Sequence, residues 1–382
     1  MNPIPSHLYV HVPFCDGKCD YCAFFSVPYS ESGADAYLDA LEAELAMAVR
    51  DRPSQRLTET VYIGGGTPSV LDPYRWARLL QTIRRHVSVG AGTEWSSEAN
   101  PGTVTAAWLE AAVEAGVNRI SLGVQAFDDR VLAEIGRCHS ARNAVESVAL
   151  VRNAGLQNLG IDLIAGLPGV KEREWLDTLA RTVDLDPEHV SVYALSIEEG
   201  SRFDMRARTG RIRVPGEDRQ LAALETGEAI LTAQGFKRYE ISNYARPGFA
   251  CRHNMACWRG GDYLGVGPSA ASRIGRRRYT NEADLRAYVG ALNHGDSPPR
   301  ESASLSPEDD FAERFAFRLR LAEGLDLDDV HRAGGPTAAW TAILGHFEEE
   351  GLVRSHITRR CLTARGRNLC DHVIRELLPP CT

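Results

Sequence analysis

Between Leu8 and about Ile197, short runs of β-branched and aliphatic residues alternate with longer stretches in which apolar residues return every three or four positions. The runs LYVHVPF (8–14), TVYIGGG (60–66), EWSSEAN (94–100), RISLGVQ (119–125), LGIDLIAGLP (159–168) and HVSVYALSI (189–197) predict six strands. The stretches between them predict amphipathic helices. In 34–50, Tyr37, Leu41, Leu45 and Val49 recur every four residues and share one face, which is expected to cover the sheet. Such alternation is the signature of βα units around a parallel sheet. Six of them make either an open twisted sheet or an incomplete barrel, and in both the ligand site gathers at the strand C-termini.

After Glu198 the alternation stops. A polar segment, SRFDMRARTGRIRVPGEDRQ (201–220), leads into a helix and then into YEISNYARPGFACRHNMACWRGGDYLGVGPSA (239–270), rich in Tyr, Gly and Asn. This part reads as a structured extension that closes over the site. From about Ser306 the order is helix, short helix, helix, two-stranded element and helix, which suggests a small winged-helix-like domain. The expected division is 1–200 for the βα part, 201–300 for the extension and 301–382 for the small domain.

The 382 residues are 43% hydrophobic and 25% charged, an ordinary globular composition with length enough for a sizeable core. Acidic residues outnumber basic ones by 51 to 43, for a net charge of −8, so no overall positive field exists to hold a nucleic-acid backbone. No apolar run approaches the ~18 residues of a membrane span, and MNPIPSHLYVHVPFC lacks the basic and apolar regions of a signal peptide. A cytoplasmic protein is expected. Three of its nine cysteines fall within eight residues, which is poor disulfide geometry and good metal-ligand spacing.

Those three, Cys15, Cys19 and Cys22, form C-x3-C-x2-C directly after the first predicted strand, beside Gly17, Tyr21, Phe24 and Phe25. They read as buried structural thiols, as a zinc site or as an iron–sulfur site. Structural zinc takes four N or S ligands, and no second Cys/His pair lies nearby; His11 belongs to the strand pattern, where it packs or hydrogen-bonds. Short-range thiolates commonly ligate iron–sulfur clusters, usually in fours. Three thiolates on a [4Fe–4S] cube leave one iron open to an external N/O chelator, which suggests reactivity more than simple electron transfer.

Other chemistry-bearing residues stand at or near the remaining strand ends. Gly64-Gly65-Gly66-Thr67-Pro68 lets the backbone approach a ligand and exposes N–H donors, although a lone Gly-rich turn is a weak signal. Glu98 precedes an Asn-Pro turn, Gln125 ends the fourth strand with Arg137 twelve residues on, and Asp162 lies inside the apolar run IDLIAGLP. A carboxylate among Ile161, Leu163 and Ile164 needs a partner or a ligand, since unpaired burial costs several kcal/mol. A salt bridge among these same residues is the plain alternative.

The segment HVPFCDGKCDYCAF (11–24) is similar to the C-x3-C-x2-C loop of the radical S-adenosylmethionine (radical SAM) superfamily. The resemblance implies a partial (βα)6 radical SAM barrel with a C-terminal winged-helix-like domain. It implies a [4Fe–4S] cluster on Cys15, Cys19 and Cys22, whose open iron chelates the amine and carboxylate of SAM, and reductive cleavage to a 5′-deoxyadenosyl radical. It further implies SAM contacts at Gly65, Gly66 and Thr67. In the coproporphyrinogen-oxidase-like branch these extend to Tyr9, Glu98, Gln125, Arg137 and Asp162, where carboxylates and amide suit ribose hydroxyls and Arg137 suits a carboxylate.

Within that branch the chain resembles HemW-type heme chaperones over nearly its whole length. His253-Asn254-Met255-Ala256-Cys257-Trp258 is similar to their HNxxYW segment, with Cys257 at the tyrosine position. That tyrosine hydroxyl is absent here, whereas a cysteine thiolate still binds heme iron. Phe24 stands where oxygen-independent coproporphyrinogen III oxidases usually carry a fourth cysteine, and only 14 residues precede Cys15. Both points favour the chaperone. His253 reads either as a satisfied structural histidine or as a heme ligand. Cys138, Cys251, Cys361, Cys370 and Cys381 read as ordinary free thiols, and Arg276-Arg277-Arg278 as a solvated turn. The resemblance thus implies a protein that binds [4Fe–4S], SAM and heme, and hands heme to an apo-hemoprotein, expected to be of the respiratory chain. Two other functions stand beside it: a radical SAM enzyme, either the oxidase or a methyltransferase, and a zinc-stabilised binding module.

Overall fold

In the computed structural model, which describes residues 5–50 and 58–379, the six strands stand where the alternation marks them. β1 (His7–Val12), β2 (Thr60–Gly65), β3 (Glu94–Ala99), β4 (Arg119–Gln125), β5 (Asn158–Ala165) and β6 (His189–Ala194) pair in sequence order, all parallel. The returning helices are α1 (Glu31–Val49), α2 (Pro73–His86), α3 (Ala106–Ala115), α4 (Asp129–Glu134), α5 (Ala141–Asn153) and α6 (Glu172–Asp184). Local chemistry sets their ends. Asp72 accepts from the amides of Tyr74 and Arg75 at the start of α2, with Pro73 in the first turn, and Ser140 and Asn143 cap α5 reciprocally.

Side chains alternate between the faces of a strand, and here the two faces differ in chemistry. Val10, Val12, Val61, Ile63, Ile120, Leu122, Ile161 and Val192 enter one apolar core with Leu41, Leu45, Trp76, Leu79 and Trp108 of the helices. The intervening positions carry Tyr9, His11, Tyr62, Glu98, Ser121, Asp162 and Ser191, which line a polar lumen. Strands joined in sequential order by crossovers of one hand place their helices on one face, the arrangement of a barrel wall.

The wall stays open, and this is where the extension departs from expectation. It contains α7 (Arg202–Arg208), α8 (Glu217–Ala233), β7 (Lys237–Arg238), β8 (Asn243–Ala245), α9 (Arg252–Trp258) and β9 (Leu264–Val266). Rather than only closing over the site, it pairs both edges of the wall: β8 runs antiparallel to β6, with β7 beyond it, and β9 runs parallel to β1. An uncovered edge would present a row of unpaired N–H and C=O groups, which these short strands satisfy. β10 (Ala271–Ile274), β11 (Arg277–Asn281) and β12 (Arg300–Ser304) form a separate antiparallel sheet, with α10 (Leu285–Asn293) between its last two strands. Arg276 lies in the turn between β10 and β11, and Arg278 pairs with Glu313 at 2.9 Å.

The C-terminal part has its own core, built from Leu319, Leu325, Trp340, Leu344, Phe347 and Val373. α11 (Pro307–Ala316), β13 (Leu325–Asp326), α12 (Leu327–Arg332), α13 (Thr337–Glu349), β14 (Val353–His356) and β15 (Arg359–Leu362) give three helices and a β-hairpin in winged-helix order. Arg314 joins this part to the extension through Asp262 at 2.8 Å, and the Arg320 guanidinium lies over the Trp258 ring at 4.4 Å.

Candidate functional site

The three-cysteine loop opens directly off the C-terminal end of β1. Phe14 is fully buried and sits edge-on against Tyr29 and Tyr37, at ring distances of 6.0 and 5.6 Å, which fixes the chain one residue before Cys15. The amides of Val27 and Tyr29 donate to the carbonyls of Pro13 and Cys15 at 2.7 and 3.1 Å and clasp the two ends of the loop. Between them Asp20 is tied on several sides. Its amide donates to the Ile135 carbonyl at 3.1 Å, its carbonyl accepts from the Phe203 amide at 2.9 Å, and its carboxylate pairs with Arg206 at 2.7 Å.

Protein contacts thus hold a loop whose thiols, Cys15, Cys19 and Cys22, are free, half-buried and near enough to act on one another's charge. Among the described residues, no group of three Cys, His, Asp or Glu side chains converges as a single ion requires. Tetrahedral zinc, with Zn–S bonds of ~2.3 Å, draws its sulfurs to within about 4 Å of each other. A cubane seats each thiolate on a different iron, so it accepts three thiols whose sulfurs stand farther apart than a single zinc ion allows. His11 lies beneath with both ring nitrogens engaged, Nε2 with the Phe25 carbonyl at 2.9 Å and Nδ1 with the Tyr9 hydroxyl at 3.1 Å.

The glycine run is laced to the same loop. The amides of Gly66 and Thr67 donate to the carbonyls of Val12 and Phe14 at 2.8 and 2.7 Å. A Cβ on Gly66 would stand 2.5 Å from the Phe14 carbonyl oxygen, and one on Gly65, where φ is +107°, would stand 2.6 Å from the His11 ring. Thr67 Oγ1 lies 3.5 Å from Cys15 Sγ and accepts from Asn100 Nδ2 at 2.9 Å.

Deeper in the lumen two carboxylates lie near each other. Glu98 accepts from the Tyr62 hydroxyl at 2.9 Å and from the Gly65 amide at 3.2 Å. Asp162 accepts from Ser121 Oγ at 3.0 Å and from the Ser191 hydroxyl, with the Arg119 and Arg137 charges near enough to act on it. Burial pushes both carboxyls up, and the nearby Asp162 charge helps to bring Glu98 to about 7. Tyr9 stacks on Tyr62 at 6.3 Å beside them.

Arg137 stands between this pair and the cysteines. It donates to Asn100 Oδ1 at 3.0 Å and to the Gly123 carbonyl at 2.8 Å, and it hydrogen-bonds Cys19. Its Nε is buried with no partner, which leaves one donor for a carboxylate. Gln125 ends β4 at φ +66°, where the register with β5 slips after Leu122, so its buried side chain turns back towards Gly123 and Arg137.

His253 is not brought to this group. The carboxylate of Glu94 accepts from the amides of Arg252 and His253 at 2.9 and 3.0 Å and so caps α9 from a neighbouring strand. His253 Nδ1 bonds Thr60 Oγ1 at 2.8 Å, and its ring lies 5.3 Å from that of Tyr62. Thr60 and Glu94 begin β2 and β3, whereas the cysteine loop follows the end of the parallel β1, so α9 closes the opposite end of the lumen. Burial pushes the His253 imidazole down to about 3 and the Cys257 thiol up to about 12.

Sequence reading passed over Asn100, which links Thr67 to Arg137, and over the lumen residues Tyr62, Ser121 and Ser191. Their signal is the period-two polar position inside an otherwise apolar parallel strand. Cys138 is a free thiol, as expected, and its Sγ packs against Gly17 of the cysteine loop. Cys381 lies outside the described residues.

The radical SAM superfamily pattern matches residues 9–182, and the HemN C-terminal domain pattern matches 305–369. The heme chaperone HemW of Mycobacterium tuberculosis is 36% identical over 379 residues, 98% of this chain and 95% of its own length. That of Bacillus subtilis is 31% identical over 97% of this chain and 98% of its own. That of Escherichia coli is 38% identical over 71% of this chain and 70% of its own. Among solved structures, coproporphyrinogen III oxidase (HemN) from Escherichia coli, described as a radical SAM enzyme, superposes with a TM-score of 0.83 at 26% identity, covering 98% of this chain and 90% of that one.

Proposed function

The chain belongs to the HemW family of radical SAM proteins, and from that premise we propose that it binds heme and delivers it to apo-hemoproteins. The observation that carries this reading is the end-to-end match to curated heme chaperones, 98% of this chain against 95% of the Mycobacterium tuberculosis protein. Cys15, Cys19 and Cys22 hold a [4Fe–4S] cluster in this reading, with SAM between the cysteine loop and the lumen. When bound, that pair supplies reductive cleavage of SAM to a 5′-deoxyadenosyl radical.

The chain's own residues then have distinct tasks. Gly65 and Gly66 keep the turn free of side chains where the ligand approaches, and Thr67 bridges that turn to Cys15. Arg137 takes a carboxylate on its spare N–H, and Gln125 presents its amide beside it. Glu98 and Asp162 accept from ribose hydroxyls, with Tyr9 packed against Tyr62 behind them. Of the two readings of His253, the structural one fits its burial at the strand starts and its Nδ1 hydrogen bond to Thr60 Oγ1.

We place the protein in the cytoplasm, with a respiratory apo-hemoprotein as recipient. Free thiols at Cys138, Cys251, Cys257, Cys361 and Cys370 suit a reducing compartment. Among the described residues no helix is long and apolar enough to cross a membrane. The fold likeness to the oxidase favours a second reading, a porphyrinogen-decarboxylating enzyme. Against it stands Phe24, whose exposed ring occupies the position of the oxidases' usual fourth cysteine. Anaerobic reconstitution followed by product analysis decides between them. The chaperone takes up about four irons and four sulfides per chain and gives no protoporphyrinogen from coproporphyrinogen III with SAM and a reductant. Decarboxylation over many turnovers assigns the oxidase, and one zinc without labile sulfide assigns the binding module.

A further inference from the structure

Four thiols, not three, adjoin the cysteine loop. Cys138 is exposed, and its Sγ packs against Gly17 between Cys15 and Cys19, 3.0 Å from where a Cβ at residue 17 would stand. Asp16, Cys19 and Cys15 are close enough to act on its charge. A rigid frame holds it there. Ile135 accepts from the Asp20 amide at 3.1 Å, the Arg137 amide donates to the Leu132 carbonyl at 2.9 Å, and the His139 ring nitrogen Nε2 bonds the Val124 carbonyl at 3.2 Å. The side chain immediately before it, Arg137, reaches into the cysteine group, bonds Cys19 and keeps a buried Nε without a partner.

We propose that Cys138 is an exchangeable thiolate ligand for the cluster iron that Cys15, Cys19 and Cys22 leave without a protein ligand, bound while SAM is absent and displaced when SAM arrives. The inference rests on the radical SAM reading. Thiolate is the ligand that iron–sulfur centres favour, and Cys138 is the one thiol outside the motif that packs on this loop among the described residues. It neighbours Arg137, the residue assigned to the SAM carboxylate, so thiolate and carboxylate compete for adjoining space. In the exchange the iron–sulfur bond to Cys138 breaks, bonds from iron to the SAM amine nitrogen and carboxylate oxygen form, and the released thiolate takes a proton from solvent. No electron is transferred.

Alkylation with iodoacetamide, read by peptide mass at Cys138 in the full-length chain, tests this. In the cluster-free chain Cys138 reacts rapidly. In the anaerobically reconstituted chain without SAM it reacts at least tenfold more slowly, and saturating SAM restores the rapid reaction. The Cys138→Ala chain keeps about four irons, shows an altered electron paramagnetic resonance spectrum for its reduced cluster without SAM, and binds SAM more tightly than the parent. Equal labelling with and without SAM in a chain that holds its iron, together with an unchanged spectrum in Cys138→Ala, overturns the ligand assignment and leaves the radical SAM reading standing. A parent chain that takes up no iron and sulfide overturns both.

Discussion

The amide of Gly65 donates to Oε2 of Glu98 at 3.2 Å, so the turn after β2 and the carboxylate of β3 act as one unit. The φ of +107° aims that amide sideways into the lumen, and the missing side chain leaves room for the His11 ring. Gly65→Ala forces a left-handed alanine against that ring. A stability loss of about 1–3 kcal/mol is expected, with reduced retention of cluster iron. Thermal unfolding and iron analysis on the same preparation check this, and a variant equal to the parent in both contradicts the packing described.

Glu98 sets a pH dependence whose sign is fixed. Burial and the Asp162 charge raise its carboxyl from 4.5 to about 7 in the folded chain. The folded state holds the proton more tightly than the unfolded state, so this contribution to stability is full below about 4.5 and is lost as the pH climbs through about 7. A ribose hydroxyl donates more strongly to the ionised acceptor, so SAM affinity rises over the same interval. Glu98→Gln flattens both curves in calorimetric titrations. A Glu98→Gln chain with the parent's SAM pH profile removes Glu98 from the site.

Asp162→Ala weakens SAM binding by about tenfold, the worth of a charge-assisted hydrogen bond, while cluster iron stays in place because the carboxylate contacts ligand and not metal. Cys19→Ser gives the converse, loss of iron and sulfide. Unchanged SAM affinity in a folded Asp162→Ala chain returns that carboxylate to a structural role on the Ser121 and Ser191 hydroxyls.

The difference between these residues and His253 marks what the sequence made legible. Strands and helices of the first half announce themselves through period, because the apolar positions of β1 to β6 answer those of the helices in one core. Cys15, Gly65 and Glu98 sit at fixed offsets from those strands, so their convergence follows from parallel pairing. β7, β8 and β9 are too brief to show a period, being two or three residues each, and only the unpaired edges of the wall call them into the sheet. His253 sits in a motif that names no location, and its place at the strand starts depends on Glu94, 159 residues away in sequence. Cys138 likewise gains meaning only from Gly17, which no spacing reveals.

For His253 the structure therefore predicts a stability effect. His253→Ala removes one of the two histidine partners of the Thr60 hydroxyl, leaving His7 at 2.9 Å, and opens a cavity beside Tyr62, at a cost of about 1–3 kcal/mol, while the Soret band of bound heme keeps its position. Denaturant unfolding and the visible spectrum measure the two together. A displaced Soret band in a chain of parental stability makes His253 the iron ligand instead.

Heme transfer tests the central claim most directly. The reconstituted chain, loaded with heme and freed of excess by gel filtration, is mixed anaerobically with a b-type apo-hemoprotein, and the Soret region is followed over time. The account predicts a band distinct from that of free heme, which decays as the recipient's holo-spectrum appears, faster than spontaneous transfer from a non-specific carrier such as albumin. A chain that shows no bound-heme band, or one whose heme never reaches the recipient, contradicts it.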